Sequence, residues 1–142
     1  MPLANAFIPY GLYWSTPFCR WQGSLASVHA LELAAQVAGD VLRAKEVDPK
    51  SFDALVYGMT VPQKSSFYAA PWLAGVLGAT GITGPTIAQA CATSARVIVT
   101  AASEVELGQR STVLAITADR TSNGPHIYYP NPGGPGGKGD SE

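Results

Sequence analysis

The 142-residue sequence predicts an α/β domain in which helices pack in layers against a sheet. Two observations lead to this fold class. Short apolar runs of strand length alternate along the chain with longer segments of helical periodicity, and Gly or Pro residues separate most of them. In addition, 46% of the residues are apolar and 13% are charged, so the chain has enough apolar surface to bury the core of one domain.

Four apolar runs predict the strands. The first run is rich in aromatic residues, and the second ends at Gly58. The fourth is a continuous apolar run of the kind found in strands that are covered on both faces. The runs cover residues 7–13, 52–57, 86–88 and 112–117. Because a helical segment follows each of the first three, we expect parallel crossover connections between strands.

Three segments predict the helices, and they cover residues 26–45, 68–79 and 91–107. The first segment is strongly amphipathic, and Ser24 or Ser27 is available as its N-cap. The second contains two glycines that weaken it as a helix. The third is apolar or small on nearly every side, which predicts a helix buried between two layers of the domain.

The composition changes after Asn123 and divides the chain. We expect residues 1–123 to form the α/β domain and residues 124–142 to form the start of a loop domain or a tail. The final segment contains six Gly and four Pro residues, so it predicts neither helix nor strand. Lys138 is not followed by Ser or Thr, and the segment therefore does not match a phosphate-binding P-loop.

The composition also argues against several classes of function. The net charge is −1 and no cluster of basic residues occurs, so nucleic acid is not expected as a partner. No apolar run approaches the roughly 18 residues of a membrane-spanning helix, and no leader pattern is present, so we expect a cytoplasmic protein. Cys19 and Cys91 are separated by most of the chain and form neither a disulfide framework nor a metal-binding pattern.

Cys91 is the residue whose position most clearly suggests chemistry. It lies where the third strand pattern gives way to the third helical pattern, so we expect it in the first turn of that helix. Backbone N–H groups and the helix dipole stabilise a thiolate at such a position, and a thiolate is the reactive form of cysteine. The alternative is that Cys91 is a small buried hydrophobic residue without a chemical role.

Four segments of the chain resemble thiolases, a family of acyl-coenzyme A acyltransferases. Residues 15–25 resemble the family's Arg-Thr-Pro opening that leads to Gly-Ser-Leu, and residues 47–58 resemble its Val-Asp-Pro linker and second strand. Residues 86–91 correspond to the segment before the family's nucleophilic cysteine, and residues 112–125 resemble the strand that enters its loop domain. The resemblance covers nearly the whole chain and is to the N-terminal half of a thiolase.

Three departures from the family pattern indicate a divergent subfamily. Ser15 replaces the usual Arg, Ala88 replaces the Asn three residues before the cysteine, and Ala92-Thr93-Ser94 replaces Gly-Ser-Gly after it. These substitutions make the chain more similar to the sterol-carrier-protein-like thiolases than to the degradative type.

The resemblance implies a mixed, mostly parallel sheet with a buried active-site helix, and a role for Cys91 as the acyl-accepting nucleophile. Coenzyme A thioesters would be the substrates, a transient acyl-cysteine would be the only covalent intermediate, and a backbone N–H at the helix start would help to hold the oxyanion. In the family a catalytic His and a second Cys come from a C-terminal half, which implies a partner chain or further segment and a homo- or hetero-oligomer. Small residues allow close packing against that half, namely Ala92, Ala95, Ala101 and Ala102.

The remaining cysteine and the two histidines have no match among the family's catalytic residues. We expect His29 to be solvated on the polar face of the first helix, and His126 to be exposed in a loop, with a ligand-facing role left open. Cys19 is expected to be a spare thiol. Two other functions also stay open: a non-catalytic thiolase-like scaffold subunit, and a condensing domain of the ketoacyl-synthase type.

Overall fold

In the computed structural model, which describes residues 3–129, 133 and 140–141, three helices and three parallel strands form the main domain. The helices are α1 (Ala30–Ala44), α2 (Ala69–Val76) and α3 (Thr93–Glu106). The strands are β1 (Ala54–Gly58), β2 (Thr86–Ile87) and β3 (Val113–Thr117). A short antiparallel pair follows, made of β4 (Tyr128–Tyr129) and β5 (Asp140–Ser141).

The main sheet has the order β2-β1-β3, with β1 at its centre. β1 pairs in parallel along its whole length with β3, from Ala54 opposite Val113 to Gly58 opposite Thr117. Helices α1 and α2 cover one face of the sheet, and α3 covers the other. The predicted layered α/β fold is therefore confirmed, and the described part of the main sheet is parallel.

The two faces of β1 bury different clusters. Leu55 and Tyr57 point towards α1 and α2, where they join the larger core with Leu114 and Ile116 of β3. Val56 points to the opposite face and packs against Val97 and Ala101 of α3, which with Ile87 and Val113 form the smaller core. Each fully buried side chain of this size contributes about 1.5–3 kcal/mol, so the larger core provides most of the stability.

The predicted first strand, residues 7–13, is not a strand. A turn interrupts the segment, in which the Leu12 N–H donates to the Pro9 carbonyl at 3.0 Å and Gly11 has a φ of +78°. A strand also needs a neighbour for its backbone groups, and the segment pairs with none of the described strands. Its aromatic side chains are exposed instead, with Phe7 82% and Tyr10 99% accessible.

The residues before this segment are held by the far end of α3. The Glu106 carboxylate accepts hydrogen bonds from the backbone N–H groups of Ala4, Asn5 and Ala6 at 2.8–3.1 Å. These bonds, with the one from Asn5 contributing most, hold the pKa of Glu106 below its ordinary value. The N-terminal segment is therefore attached to the domain by its backbone, although it adds no strand.

Helix α1 begins four residues later than the sequence predicts, and neither Ser24 nor Ser27 caps it. His29 is the N-cap, because its Nδ1 accepts from the Leu31 N–H at 3.3 Å. Nε2 of His29 lies 2.8 Å from the Lys64 carbonyl, which can only accept, so this nitrogen carries the proton. The prediction of a freely solvated His29 is therefore wrong.

The other elements lie close to their predicted positions, with two differences. β3 was expected to be covered on both faces, but Ala115 and Thr117, on the face that α3 only partly covers, are exposed. After Asn123 no strand was expected, yet Tyr128–Tyr129 and Asp140–Ser141 pair as β4 and β5. Aromatic side chains favour extended backbone, which accounts for β4. The rest of the Gly/Pro-rich segment lies outside the described residues.

Asp53 fixes the register of β1 and β3 where both strands begin. Its carboxylate accepts from the Ser111 N–H at 2.7 Å and the Thr112 N–H at 3.0 Å. These two hydrogen bonds, helped by the Arg110 charge, hold the pKa of Asp53 below its ordinary value. The ionised carboxylate therefore stabilises the fold at neutral pH, and this contribution is lost as the pH falls through the lowered pKa.

We expect the Asp53→Asn variant to have a lower melting temperature than the wild type at pH 7, since an amide accepts these two N–H groups less strongly than a carboxylate. The difference should shrink as the pH falls below about 4, where the carboxyl of the unfolded chain takes up a proton, and it should disappear as the pH falls through the lowered pKa of the folded protein. Thermal unfolding between pH 3 and pH 7 measures this. Glu32→Gln, at an exposed position on α1, is the matched control. A melting-temperature difference that does not change with pH would contradict the assignment.

Candidate functional site

The loops that follow the three parallel strands meet at one edge of the sheet. Strands that run in parallel end at the same edge, and α/β proteins commonly bind their ligands there. Here the loops are residues 59–61, 88–92 and 118–120. Two of them are joined directly, since the Asp119 carboxylate accepts from the Thr60 N–H at 2.8 Å and the Val61 N–H at 2.9 Å. The Thr60 hydroxyl also bonds Asp119.

Cys91 lies in the second of these loops, in a 3₁₀ turn formed by Ala90–Ala92. It therefore comes two residues before α3 begins at Thr93, and not in the first turn of that helix as the sequence predicts. The side chain is exposed and forms no disulfide. The alternative of a small buried hydrophobic residue does not hold in this chain.

The turn around Cys91 is closed by Thr93. The Thr93 hydroxyl accepts from the Gln89 N–H at 2.8 Å and donates to the Ala90 carbonyl at 2.8 Å. The Ala92 and Thr93 N–H groups donate to the Gln89 and Ala90 carbonyls. Because these two N–H groups have partners within the turn, they are not free donors for an oxyanion.

Helix α3 approaches the sheet closely at Gly58, the last residue of β1. A Cβ at this position would lie 2.7 Å from Val97 Cγ2, 2.8 Å from Thr93 Cγ2 and 3.0 Å from Thr117 Cγ2. Only glycine leaves room for these three methyl groups. Gly58 therefore lets the start of α3, with the Cys91 turn before it, lie directly on the end of the central strand.

Two residues at this edge were not identified from the sequence. Asp119 holds the loop after β1, and its charge, together with the larger effect of burial, raises the pKa of Tyr57 above its ordinary value. The Tyr57 hydroxyl donates to the Ala118 carbonyl at 3.1 Å. Thr93 is the second residue. Its sign in the sequence is that a residue with a hydroxyl group lies four residues before Val97 and eight before Ala101, on the side of the helix that faces the sheet.

The described residues supply no base to Cys91. Neither His29 nor His126 forms a hydrogen bond with its thiol within this part of the chain. His29 caps α1 and lines an open pocket of about 240 Å³ with Leu31, Glu32, Lys64, Ser65 and Trp72, and Cys91 is not part of its lining. His126 is exposed in the loop before β4. Cys19 is an exposed loop thiol, 3.3 Å from the Ser24 hydroxyl.

Among the described residues, the sheet covers helix α3 on one side only, so the predicted burial of this helix between two layers is not found here. Thr93, Val97 and Ala101 face the sheet and are buried, whereas Ile98 is 49% and Val99 53% accessible on the other side. Of the four small residues expected to allow close packing against a second half, Ala101 faces the sheet, Ala102 is half-buried, and Ala92 and Ala95 are exposed. For the described part of the chain, the helix that follows Cys91 therefore presents an apolar face without a partner.

Within the part of the chain that the structure describes, no three His, Cys, Asp or Glu side chains come together in an arrangement that could hold a metal ion. None of the helices described is both long and apolar enough to span a bilayer.

Comparison with known proteins identifies the family. The model of the thiolase N-terminal domain matches residues 14–133. The 3-ketoacyl-CoA thiolase of Shewanella pealeana is 34% identical over 113 residues, which are 75% of this chain and 25% of that protein. The chain therefore spans about a quarter of the length of this relative.

Two solved structures agree with this match. The acetyl-CoA acetyltransferase of Bacillus anthracis has a TM-score of 0.67 and 25% identity, over 77% of this chain and 28% of that one. Human mitochondrial 3-ketoacyl-CoA thiolase in complex with CoA has a TM-score of 0.60 and 25% identity, over 67% and 25% of the two chains. This chain therefore belongs to the thiolase family and corresponds to its N-terminal domain.

Proposed function

We propose that Cys91 is the acyl-accepting nucleophile of a thiolase-type acyl-CoA acyltransferase, and that this chain works together with a C-terminal half. The observation that carries the proposal is the exposed thiol of Cys91 on a tight turn between β2 and α3, at the edge of the sheet where the strand ends meet. The family match supports the acyltransferase class, and the CoA complex of the human relative supports coenzyme A thioesters as substrates.

In the proposed reaction the Cys91 sulfur forms a bond to the thioester carbonyl carbon, and the bond from that carbon to the coenzyme A sulfur breaks. The coenzyme A thiolate leaves and takes up a proton, so that an acyl-cysteine remains. The acyl group then passes to the enolate carbon of a second acyl-CoA in Claisen condensation. In thiolytic cleavage the Cys91 sulfur instead forms a bond to the 3-keto carbon of a 3-ketoacyl-CoA, and the bond between C2 and C3 breaks. The acetyl-CoA enolate leaves and takes up a proton at C2, and the acyl group then passes from Cys91 to the sulfur of free coenzyme A.

The same reaction needs groups that the described residues do not provide. No histidine there contacts Cys91, and the Ala92 and Thr93 N–H groups are engaged within the turn. We propose that a C-terminal half supplies the His, the second Cys and the remaining oxyanion donors. The exposed apolar face of α3, with Ile98 and Val99, is the surface proposed to pack against that half.

Alkylation tests the proposed role of Cys91. We expect iodoacetamide near pH 7 to label Cys91 faster than Cys19, and preincubation with an acyl-CoA to slow labelling at Cys91 only. Tryptic peptides separate the two thiols, because Cys19 precedes Arg20 and Cys91 lies between Lys64 and Arg96. Cys19 is a matched internal control, since both thiols are exposed. If iodoacetamide labels both thiols at the same rate, and acyl-CoA does not slow the labelling of Cys91, the result would favour a non-catalytic scaffold subunit.

A further inference from the structure

Thr93 is an unusual residue for the inner side of a helix, because it is a polar residue packed against an apolar sheet. Only 6% of its surface is accessible, yet its hydroxyl has both an N–H donor and a carbonyl acceptor. Both partners, Gln89 and Ala90, directly precede Cys91 in the chain. The buried Thr93 hydroxyl is thus bonded to the backbone of the two residues before Cys91. These hydrogen bonds close a short loop that contains Cys91.

The loop also contains a backbone conformation that needs support. Ala90 has a φ of +44°, in the left-handed region, which costs a residue with a Cβ about 1–2 kcal/mol. Such a conformation persists only where neighbouring contacts hold it. At Ala90 these contacts are the hydrogen bonds to its carbonyl from the Thr93 hydroxyl and the Thr93 N–H.

We propose that Thr93 is a positioning residue for Cys91, and this inference rests on the proposed function of that cysteine. The hydroxyl holds the Gln89–Ala90 backbone in the conformation that presents the thiol at the sheet edge. The Thr93 methyl group has a separate role, since it packs at Gly58 on the central strand. One side chain therefore joins the reactive turn to the core.

The two roles can be separated by substitution. Thr93→Val keeps a methyl group towards Gly58 and removes the hydroxyl, whereas Thr93→Ser keeps the hydroxyl and removes the methyl group. If the hydroxyl positions Cys91, the valine variant alters the reactivity of the thiol and the serine variant does not. If Thr93 only stabilises the fold, reactivity follows stability in both variants.

The test is the iodoacetamide rate constant of Cys91 in the full chain, read from tryptic peptides and paired with the melting temperature. We expect Thr93→Val to slow labelling of Cys91 about tenfold and to leave Cys19 unchanged. Thr93→Ser should stay within about twofold of the wild type although its melting temperature falls.

Three results would overturn the inference. The first is a Thr93→Val rate at Cys91 within about twofold of the wild type. The second is slowing in both variants in proportion to their loss of stability. The third is a folded Thr93→Ser variant in which iodoacetamide labels Cys91 about tenfold more slowly than in the wild type. This third result can be obtained even if the valine variant does not fold. A wild-type Cys91 that reacts no faster than Cys19 would instead refute the proposed function.

Discussion

Replacing Gly84 with alanine is expected to destabilise the native fold strongly. A Cβ on Gly84 would lie 1.8 Å from the Leu55 carbonyl oxygen and 2.7 Å from its carbon. These atoms belong to the backbone of the central strand, so no rotation of a side chain can relieve the clash. The neighbouring residues Thr83 and Pro85 accept hydrogen bonds from β1, and the pairing of β2 would be lost with them.

We expect Gly84→Ala to lower the free energy of unfolding by about 3 kcal/mol or more. Urea denaturation followed by tryptophan fluorescence and circular dichroism measures this. Gly75→Ala is the matched control, because a Cβ there meets no atom within 4 Å and α2 gains a better helix former. A Gly84→Ala variant as stable as the Gly75→Ala variant would contradict the close approach of Gly84 to the Leu55 backbone.

The second large effect is expected from Cys91→Ser in a sample that contains a co-expressed C-terminal thiolase half. The hydroxyl of serine is a much weaker nucleophile than a thiolate, so thiolytic activity with a 3-ketoacyl-CoA should fall at least about 10³-fold. Stability should not change, because the Cys91 side chain is exposed and forms no disulfide.

Cys19→Ser is the control for this substitution, and we expect it to keep full activity. The chain without a C-terminal half should show no thiolytic turnover in either form, because the described residues offer Cys91 no base. Turnover by the isolated chain would contradict the proposed need for a second half. Activity retained in Cys91→Ser would assign the chemistry to another group.

Local sequence patterns predicted most of the fold. The amphipathic periodicity of α1, the apolar run of β1 and the spacing in α2 each depend on neighbours within a few residues, and all three elements are present. The predicted strand at residues 7–13 failed because strand formation depends on a pairing partner as well as on composition. The start of α1 was misplaced for a similar reason, since the His29 cap also bonds Lys64, 35 residues away.

The candidate site was predictable in part. The single thiol at a strand-to-helix junction drew attention to Cys91, and its exposure agrees with a reactive role. The contacts that shape the site were not predictable, because Asp119 reaches Thr60 across 59 residues of sequence. The role of Thr93 depends on the left-handed conformation of Ala90, for which an alanine gives no sequence signal.

The most direct test of the central claim is whether an acyl group becomes attached to Cys91. The chain, together with a C-terminal thiolase half, would be mixed with excess acyl-CoA, quenched in acid and digested for mass spectrometry. We expect one acyl group on the peptide between Lys64 and Arg96, released by free coenzyme A and absent in Cys91→Ser. An acyl group found on Cys19 instead, or an unmodified Cys91 in a complex that turns over substrate, would contradict the account.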